Sequence, residues 1–192
     1  MDWLFVRPHA PEPDFARFLR IEDYADDYLL DQSTPLSEQF PSDARIRMNP
    51  NFTDRLVLGD SIASGSNILV LNGRARALFE EQGANNIEWL PVAVLNHKKK
   101  PVKESYFIAN ILSSVDCIDK SKSVLGWNPI DSEQIDTAEK LVLDEQRLPA
   151  ELKILRPLHL HYCMLIRRSL ADAIQAKGLT GFMFTEVAQF RP

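Results

Sequence analysis

One pattern constrains the fold of this chain more than any other, because it occurs twice. A short apolar run, Ile68-Leu69-Val70-Leu71, precedes a helix-forming stretch from about Gly73 to Gln82, then Gly83 and an apolar segment from Ile87 to Leu95. Near the C-terminus, Cys163-Met164-Leu165-Ile166 precedes a second such stretch from about Arg168 to Lys177, then Gly178 and a segment from Phe182 to Val187. Laid over one another without a gap for about 25 residues, the two units match in kind at nearly every position. Ala75, Leu78 and Phe79 hold the i, i+3, i+4 stripe that Leu170, Ala173 and Ile174 hold in the other unit. Gly83 and Gly178 stand where a left-handed residue ends a helix. Residue identity between the units is low, so the pattern is a structural pseudo-repeat. Each strand–helix–strand unit has to bury its helix stripe against a sheet. The expected class is therefore α+β, with helices packed on a mixed or antiparallel sheet.

Between the units, Tyr106–Leu112 opens an extended stretch reaching Asp119, Lys120–Ser123 reads as a turn, and Ala138–Leu143 as a further strand. Lys98-Lys99-Lys100-Pro101 reads as a hairpin loop, and Asp144 to Pro149 as a polar loop with a proline stop. The first 55 or so residues are weakly patterned and punctuated by Pro8, Pro11, Pro13, Pro35, Pro41 and Pro50. Short helical pieces are expected there at Phe15–Arg20 and Asp23–Leu30, with regular structure becoming clear only after Phe52. No isolated linker or low-complexity segment interrupts the chain. One domain is expected over 1–192, with an irregular acidic N-terminal region (1–55) and an α+β core (56–192).

The chain has 192 residues, of which 45% are hydrophobic and 26% charged. That is the globular average and supports a real core. No apolar run approaches the roughly 18 residues needed to cross a bilayer. The start, Met1-Asp2-Trp3-Leu4-Phe5-Val6-Arg7-Pro8, lacks a basic n-region and a long h-region, so a cytoplasmic protein is expected. Cys117 and Cys163 read as buried small hydrophobes in a reducing compartment. The net charge of −5 is unevenly spread: Glu12 to Asp43 carries nine carboxylates against Arg17 and Arg20. An acidic, aromatic-bearing segment of this kind suits a basic partner, although a solvated face has the same composition. The acidic balance argues against direct nucleic-acid binding.

Three motifs invite a chemical reading. Leu56-Val57-Leu58-Gly59-Asp60-Ser61-Ile62 resembles the nucleophile block of serine esterases named for a Gly-Asp-Ser-Leu motif. A serine nucleophile needs a general base within reach and donors for the oxyanion. The companion blocks, Asp-x-x-His and Gly-x-Asn-Asp, are absent: Val94, Arg156 and Leu158 stand three before His97, His159 and His161. The run reads more simply as a turn leading into the strand at Ile68. His159, His161 and Cys163 alternate along one expected strand and would share a face, as zinc ligands or as ordinary partly buried side chains. Asp116, Asp119, Glu104 and Asp144 offer carboxylates without an evident activating environment. Phosphate-cradling patterns are missing, and with seven glycines in the chain such a loop elsewhere is not expected. Neither a cofactor nor a metal is expected.

The middle and end of the chain resemble a known family. Tyr106-Phe107-Ile108-Ala109-Asn110-Ile111-Leu112-Ser113-Ser114-Val115-Asp116-Cys117-Ile118-Asp119 is similar to a motif of one bacterial polymorphic-toxin immunity family, formerly described only as a domain of unknown function. The same holds for Lys140–Pro149, for Leu165–Ile174, and for Gly178-Leu179-Thr180-Gly181-Phe182-Met183-Phe184, with a further match at Ile68–Val92. The resemblance covers roughly residues 55 to 187, and its specificity lies in the order and spacing of the pieces. One departure is Arg156-Pro157-Leu158, where an aromatic residue is expected.

The resemblance implies binding and not catalysis: a protein that neutralises a toxin passed between neighbouring bacteria. It carries over no catalytic residue. Asp116, Asp119, Asp144 and Gly181 match its motifs and read as structural turn or cap positions. For a cytoplasmic antidote the expected partner is a cognate toxin acting in the cytosol, such as a nuclease, with no membrane contact. The candidate contact is Glu22, Asp23, Tyr24, Asp26, Asp27 and Tyr28. Two competing readings stay open on the sequence: a small serine hydrolase using Ser61, and a zinc-binding regulatory module.

Overall fold

The computed structural model describes residues 2–191. Its strands are β1 (Trp3–Pro8), β2 (Phe18–Ile21), β3 (Arg45–Met48), β4 (Ser61–Ile62), β5 (Val70–Asn72), β6 (Ile87–Leu95) and β7 (Tyr106–Ile111). They continue as β8 (Ser114–Val115), β9 (Val124–Trp127), β10 (Ile135–Lys140), β11 (Ile154–Pro157), β12 (Met164–Arg167) and β13 (Phe182–Glu186). The two α-helices, α1 (Gly73–Glu81) and α2 (Arg168–Ala176), are short. The protein is mostly sheet, in an α+β arrangement. A six-stranded sheet runs β2-β3-β6-β7-β5-β4, a five-stranded sheet runs β13-β1-β12-β11-β8, and β9 and β10 pair only with each other. Both larger sheets are mixed: β3 pairs with β6 in parallel and β8 with β11 in parallel, against antiparallel neighbours elsewhere.

Both helices join strands that run parallel but are not adjacent. β5 and β6 flank the antiparallel β7, and β12 and β13 flank the antiparallel β1. α1 starts at Asn72, whose side chain accepts the backbone N–H of Ala75 at 2.9 Å. It buries Ala75, Leu78 and Phe79. α2 has no such side-chain cap and buries Leu170, Ala171 and Ile174. Gly83 (φ +77°) and Gly178 (φ +61°) take the left-handed conformation just past the helices.

Strand side chains alternate between two faces, and here both faces are covered. Leu4 and Val6 of β1 join Leu69, Leu71, Ala109, Ile166 and both helix stripes in one core. Trp3 and Phe5 of the same strand point into a second core with Leu155, Leu165, Ile135 and Ala138. Ile68, Val70, Leu90, Val92 and Ile108 meet a third core supplied by the N-terminal segment, including Phe18, Leu30, Leu36 and Ile46. Coverage of both faces explains why these strands read as unbroken apolar runs.

Several sequence expectations need correction. Regular structure begins at Trp3, not after Phe52, and β1 lies inside the five-stranded sheet. The helix expected at Phe15–Arg20 is largely strand β2, paired with β3; that expected at Asp23–Leu30 is a 3-10 turn over Asp27–Asp31. Long-range pairing decides the first of these, overriding local spacing. β9 was not foreseen, and the strand expected at Ala138–Leu143 lies at Ile135–Lys140, with Leu143 making an isolated bridge to Ile118. His159, His161 and Cys163 do not share a strand face, since Leu158–Leu160 form a 3-10 turn. Ser61 lies in strand β4 and not in a turn. The three-lysine loop is a tight turn as expected, with Lys99 at φ +57° and Asn96 Oδ1 accepting the N–H groups of Lys98 and Lys100.

Candidate interaction surface

The acidic segment after β2 leaves the sheet edge at Glu22 and turns at Asp23, which holds φ +54°. Its candidate residues are partly used inward. Glu22 pairs with Arg47 at 3.1 Å and Asp27 with Arg20 at 3.6 Å. The Tyr24 ring meets Phe40 edge-on at 5.4 Å, and burial together with the Asp26 and Asp27 carboxylates pushes its hydroxyl above the usual tyrosine range. Asp23 and Asp26 are exposed, and the Tyr28 side chain is 59% exposed. The outward set is therefore Asp23, Asp26 and Tyr28.

Hydrogen bonds from three strands fix the backbone that follows these residues, from Leu30 to Ser37. Arg156 of β11 is fully buried; its Nη2 donates to the Leu30 carbonyl at 3.1 Å and its Nη1 to the His161 carbonyl at 2.6 Å. Burial lowers the guanidinium to about 10, with Asp31 acting in the opposite direction, so it stays charged at neutral pH. Asn110 of β7 donates to the Thr34 carbonyl at 2.8 Å and to Glu88 at 2.9 Å. The Glu88 carboxylate accepts the backbone N–H of Leu36 (2.8 Å) and of Ser37 (3.0 Å). Sequence reasoning missed this set. The available signal was the polar residue within an apolar run: Arg156 after Ile154-Leu155, and Asn110 between Ala109 and Ile111.

The 3-10 turn after β11 joins that segment to the β9–β10 hairpin. His161 Nε2 lies 3.7 Å from Asp31, while His159 Nδ1 is hydrogen-bonded to the Glu133 carbonyl at 2.8 Å. His159 also stands edge-on to Trp127 at 5.4 Å and 3.7 Å from Asp116. Cys163 faces elsewhere, into the core that holds Cys117, and burial pushes both thiols up to about 12. A thiol so disfavoured as thiolate is a poor metal ligand or nucleophile. His159, His161 and Cys163 thus point apart, toward Glu133, Asp31 and the core.

Asp116, Asp119 and Asp144 come together on one side of the hairpin. Arg147 lies between Asp116 (2.8 Å) and Asp144 (3.2 Å). Asp144 Oδ1 also accepts the N–H of Gln146 at 3.1 Å. Asp119 accepts from the Ser121 and Lys122 backbone and pairs with the Lys122 ammonium at 2.7 Å; the Lys122 and Ser121 contacts hold it well below the usual carboxylate range. Glu104 does not join this group and lies near Tyr106 at the start of β7.

The Gly-Asp-Ser run serves packing. Asp60 is buried and accepts the Thr180 N–H at 2.8 Å and the Asn72 amide at 3.1 Å. Ser61 is buried too, donates its N–H to the Thr180 carbonyl, and its Oγ makes no hydrogen bond among the described residues. Gly181, at φ +88°, lies against it, and a Cβ there would fall 1.8 Å from the Ser61 carbonyl oxygen. Among the described residues no general base hydrogen-bonds the hydroxyl, and the nucleophile arrangement is not assembled around Ser61 there.

Among the described residues no helix is long and apolar enough to cross a membrane, and no group of three or more His, Cys, Asp or Glu is placed to hold a metal ion. A search of curated proteins finds no match to the chain. A family model does match, and it extends the resemblance seen from residue 55 onward back to the N-terminal strands. It covers residues 8–189 and so takes in both the clamped acidic segment and the hairpin; the chain belongs to the Immunity protein family (Imm11).

Proposed function

We propose that this protein neutralises a cognate antibacterial toxin of a polymorphic-toxin system by binding and occluding it, without catalysis, in the cytosol. Membership of an immunity family supports the neutralising role. The observation that carries the choice of surface is the acidic segment: Asp23, Asp26 and Tyr28 face outward just before a stretch, Leu30 to Ser37, that is held by buried Arg156 and Asn110 and half-buried Glu88. A fixed, negatively charged surface attracts a basic partner and loses little entropy on docking. A nuclease, whose substrate is a polyanion, presents such a basic cleft. The partner is thus a cytosol-acting toxin, with no direct nucleic-acid or membrane contact by this chain.

The whole chain works as one domain, built on two pseudo-repeated units whose helices each join strands flanking a third strand. Asp116, Asp119, Asp144 and Gly181 serve the structure and not the toxin contact. Asp119 and Asp144 organise turns through their carboxylates, and Gly181 permits close approach of two backbones.

A tagged pull-down from native cells, with partners identified by mass spectrometry, tests the proposal. The expected result is one stoichiometric partner carrying a toxic domain whose activity and toxicity this chain abolishes. Finding no such partner while toxins are expressed would overturn the neutralising role. Labelling of Ser61 by a fluorophosphonate probe would overturn the non-catalytic part, and periplasmic enrichment the cytosolic part.

A further inference from the structure

Among the described residues, four of the eight exposed large hydrophobic side chains belong to the β9–β10 hairpin and the turn beside it. Val124, Trp127 and Ile130 belong to the β9–β10 hairpin, and Leu158 to the 3-10 turn packed on it. Ile130, at the tip, is 96% exposed; Leu158 is 46% and Trp127 39% exposed. The inner face of the hairpin is already satisfied, because Ile135, Ala138 and Leu141 enter the core beneath it. Ile130 therefore contributes nothing to folding that the inner face does not supply, whereas Trp127 also packs edge-on against His159. Clustered exposed apolar groups of this sort mark contact surfaces.

The tip is built to hold its shape. Asn128 Oδ1 accepts the N–H of Ile130 at 2.8 Å and of Asp131 at 3.0 Å, and Asp131 Oδ1 accepts that of Glu133 at 3.0 Å. The Asn128 N–H closes the loop on the Gln134 carbonyl at 2.9 Å. Below the tip, Gly126 lets the strands close: a Cβ there would lie 2.3 Å from Thr137 Oγ1. Trp127 is buttressed by the His159 ring, itself tied to Glu133. Charge identifies the partner. Asp131, Glu133, Asp136 and Glu139 are exposed, no lysine or arginine lies between Asn128 and Glu139, and among the described residues none of the four forms an ion pair.

We propose that the β9–β10 hairpin is the element of this protein that enters the toxin's basic cleft, with Ile130, Trp127 and Leu158 as apolar anchors and the hairpin carboxylates facing cationic side chains at the rim. This rests on the toxin-neutralising role and assigns different work to two surfaces. The acidic segment steers the encounter, which sets the association rate; the hairpin anchors hold the complex, which sets the dissociation rate. Rigid aromatic and aliphatic anchors at the centre of an interface carry most of its affinity.

The test uses the full chain and the purified toxic domain identified by the pull-down, with rates read by surface-bound kinetics. Ile130→Ser, at a position with almost no contacts to lose, and Trp127→Ala are each expected to raise the dissociation rate about tenfold or more, with association changed less than about threefold. Both variants should lose protection against the toxin in cells, with circular dichroism unchanged for Ile130→Ser. Dissociation rates within about twofold of the parent for both variants, while the parent binds tightly, would overturn the hairpin assignment and leave the neutralising role standing. A parent chain that binds no toxic domain would overturn both.

Discussion

The acidic segment and the β9–β10 hairpin flank the same 3-10 turn, yet they are held to the molecule by opposite means. The segment buries Leu30 and Leu36, but its path is set by directional bonds: Arg156 to Leu30, Asn110 to Thr34, Glu88 to Leu36 and Ser37. The hairpin rests on an apolar underside of Ile135, Ala138 and Leu141, with two side-chain struts to its backbone, the Tyr162 hydroxyl to the Ile135 carbonyl and His159 Nδ1 to the Glu133 carbonyl. Directional bonds to buried groups specify one geometry and are costly to break singly. Apolar contact tolerates small shifts. The stretch from Leu30 to Ser37 is therefore held in one geometry, while the hairpin, its tip shape fixed by Asn128 and Asp131, can shift as a unit on its apolar underside.

That contrast breaks most severely at Arg156, which bonds to both sides of the junction. Arg156→Ala leaves the Leu30 and His161 carbonyls without their donor and opens a cavity in a packed interior. A loss of about 3–5 kcal/mol is expected in urea denaturation. Arg156→Met refills the volume but not the bonds and should recover only part of that loss. If Met restored full stability, packing and not hydrogen bonding would hold the segment. Ile135→Ala tests the other side: removing buried aliphatic volume under the hairpin should cost about 2–4 kcal/mol. Hydrogen exchange should then quicken along β10 and stay slow at Leu36 and Ser37; equal quickening at both would show that the two regions do not unfold separately.

The same contrast separates what the sequence made legible from what it hid. α1, α2, β6 and β13 were readable because the signals are local: an i, i+3, i+4 stripe, a glycine past the last turn, an apolar run of strand length. β1 was not, because Trp3-Leu4-Phe5-Val6 becomes a strand only by lying between β12 and β13, far along the chain. β2 was misread as helix for the same reason, its partner β3 lying beyond a long loop. Of the candidate surface, the carboxylates of the segment were visible as composition, but not which of them pair inward, as Glu22 and Asp27 do. Arg156 was least legible: arginine is ordinarily exposed, and only the fold shows two carbonyls waiting for it.

Glu88 sharpens the contrast through pH. Hydrogen bonds from Leu36, Asn110 and Ser37 lower its carboxyl below the ordinary glutamate value, outweighing the opposing effect of partial burial, which is the largest single contribution. Because the folded value lies below the unfolded one, the stabilisation is complete above the unfolded glutamate range and is lost as pH falls through the folded value. Glu88→Gln should cost about 1–2 kcal/mol at neutral pH and flatten the acid limb of the stability curve. An acid limb identical to that of the parent would assign the pH dependence to other carboxylates.

The smallest effect on stability, and the most telling for function, belongs to the outward carboxylates. Asp23→Ser, Asp26→Ser and Asp27→Ser together remove charge where, among the described residues, only Asp27 has an ionic partner, the exposed Arg20. Exposed pairs of that kind contribute little, so stability should change by less than about 1 kcal/mol. Association with the toxic domain should nevertheless slow several-fold at low salt, and its dependence on ionic strength should weaken, because long-range attraction is what the charges supply. Dissociation should change far less, the reverse of the pattern expected for Ile130→Ser and Trp127→Ala in the hairpin. An unchanged association rate would remove the segment from the contact and leave the hairpin, with its own four unpaired carboxylates, as the sole source of steering.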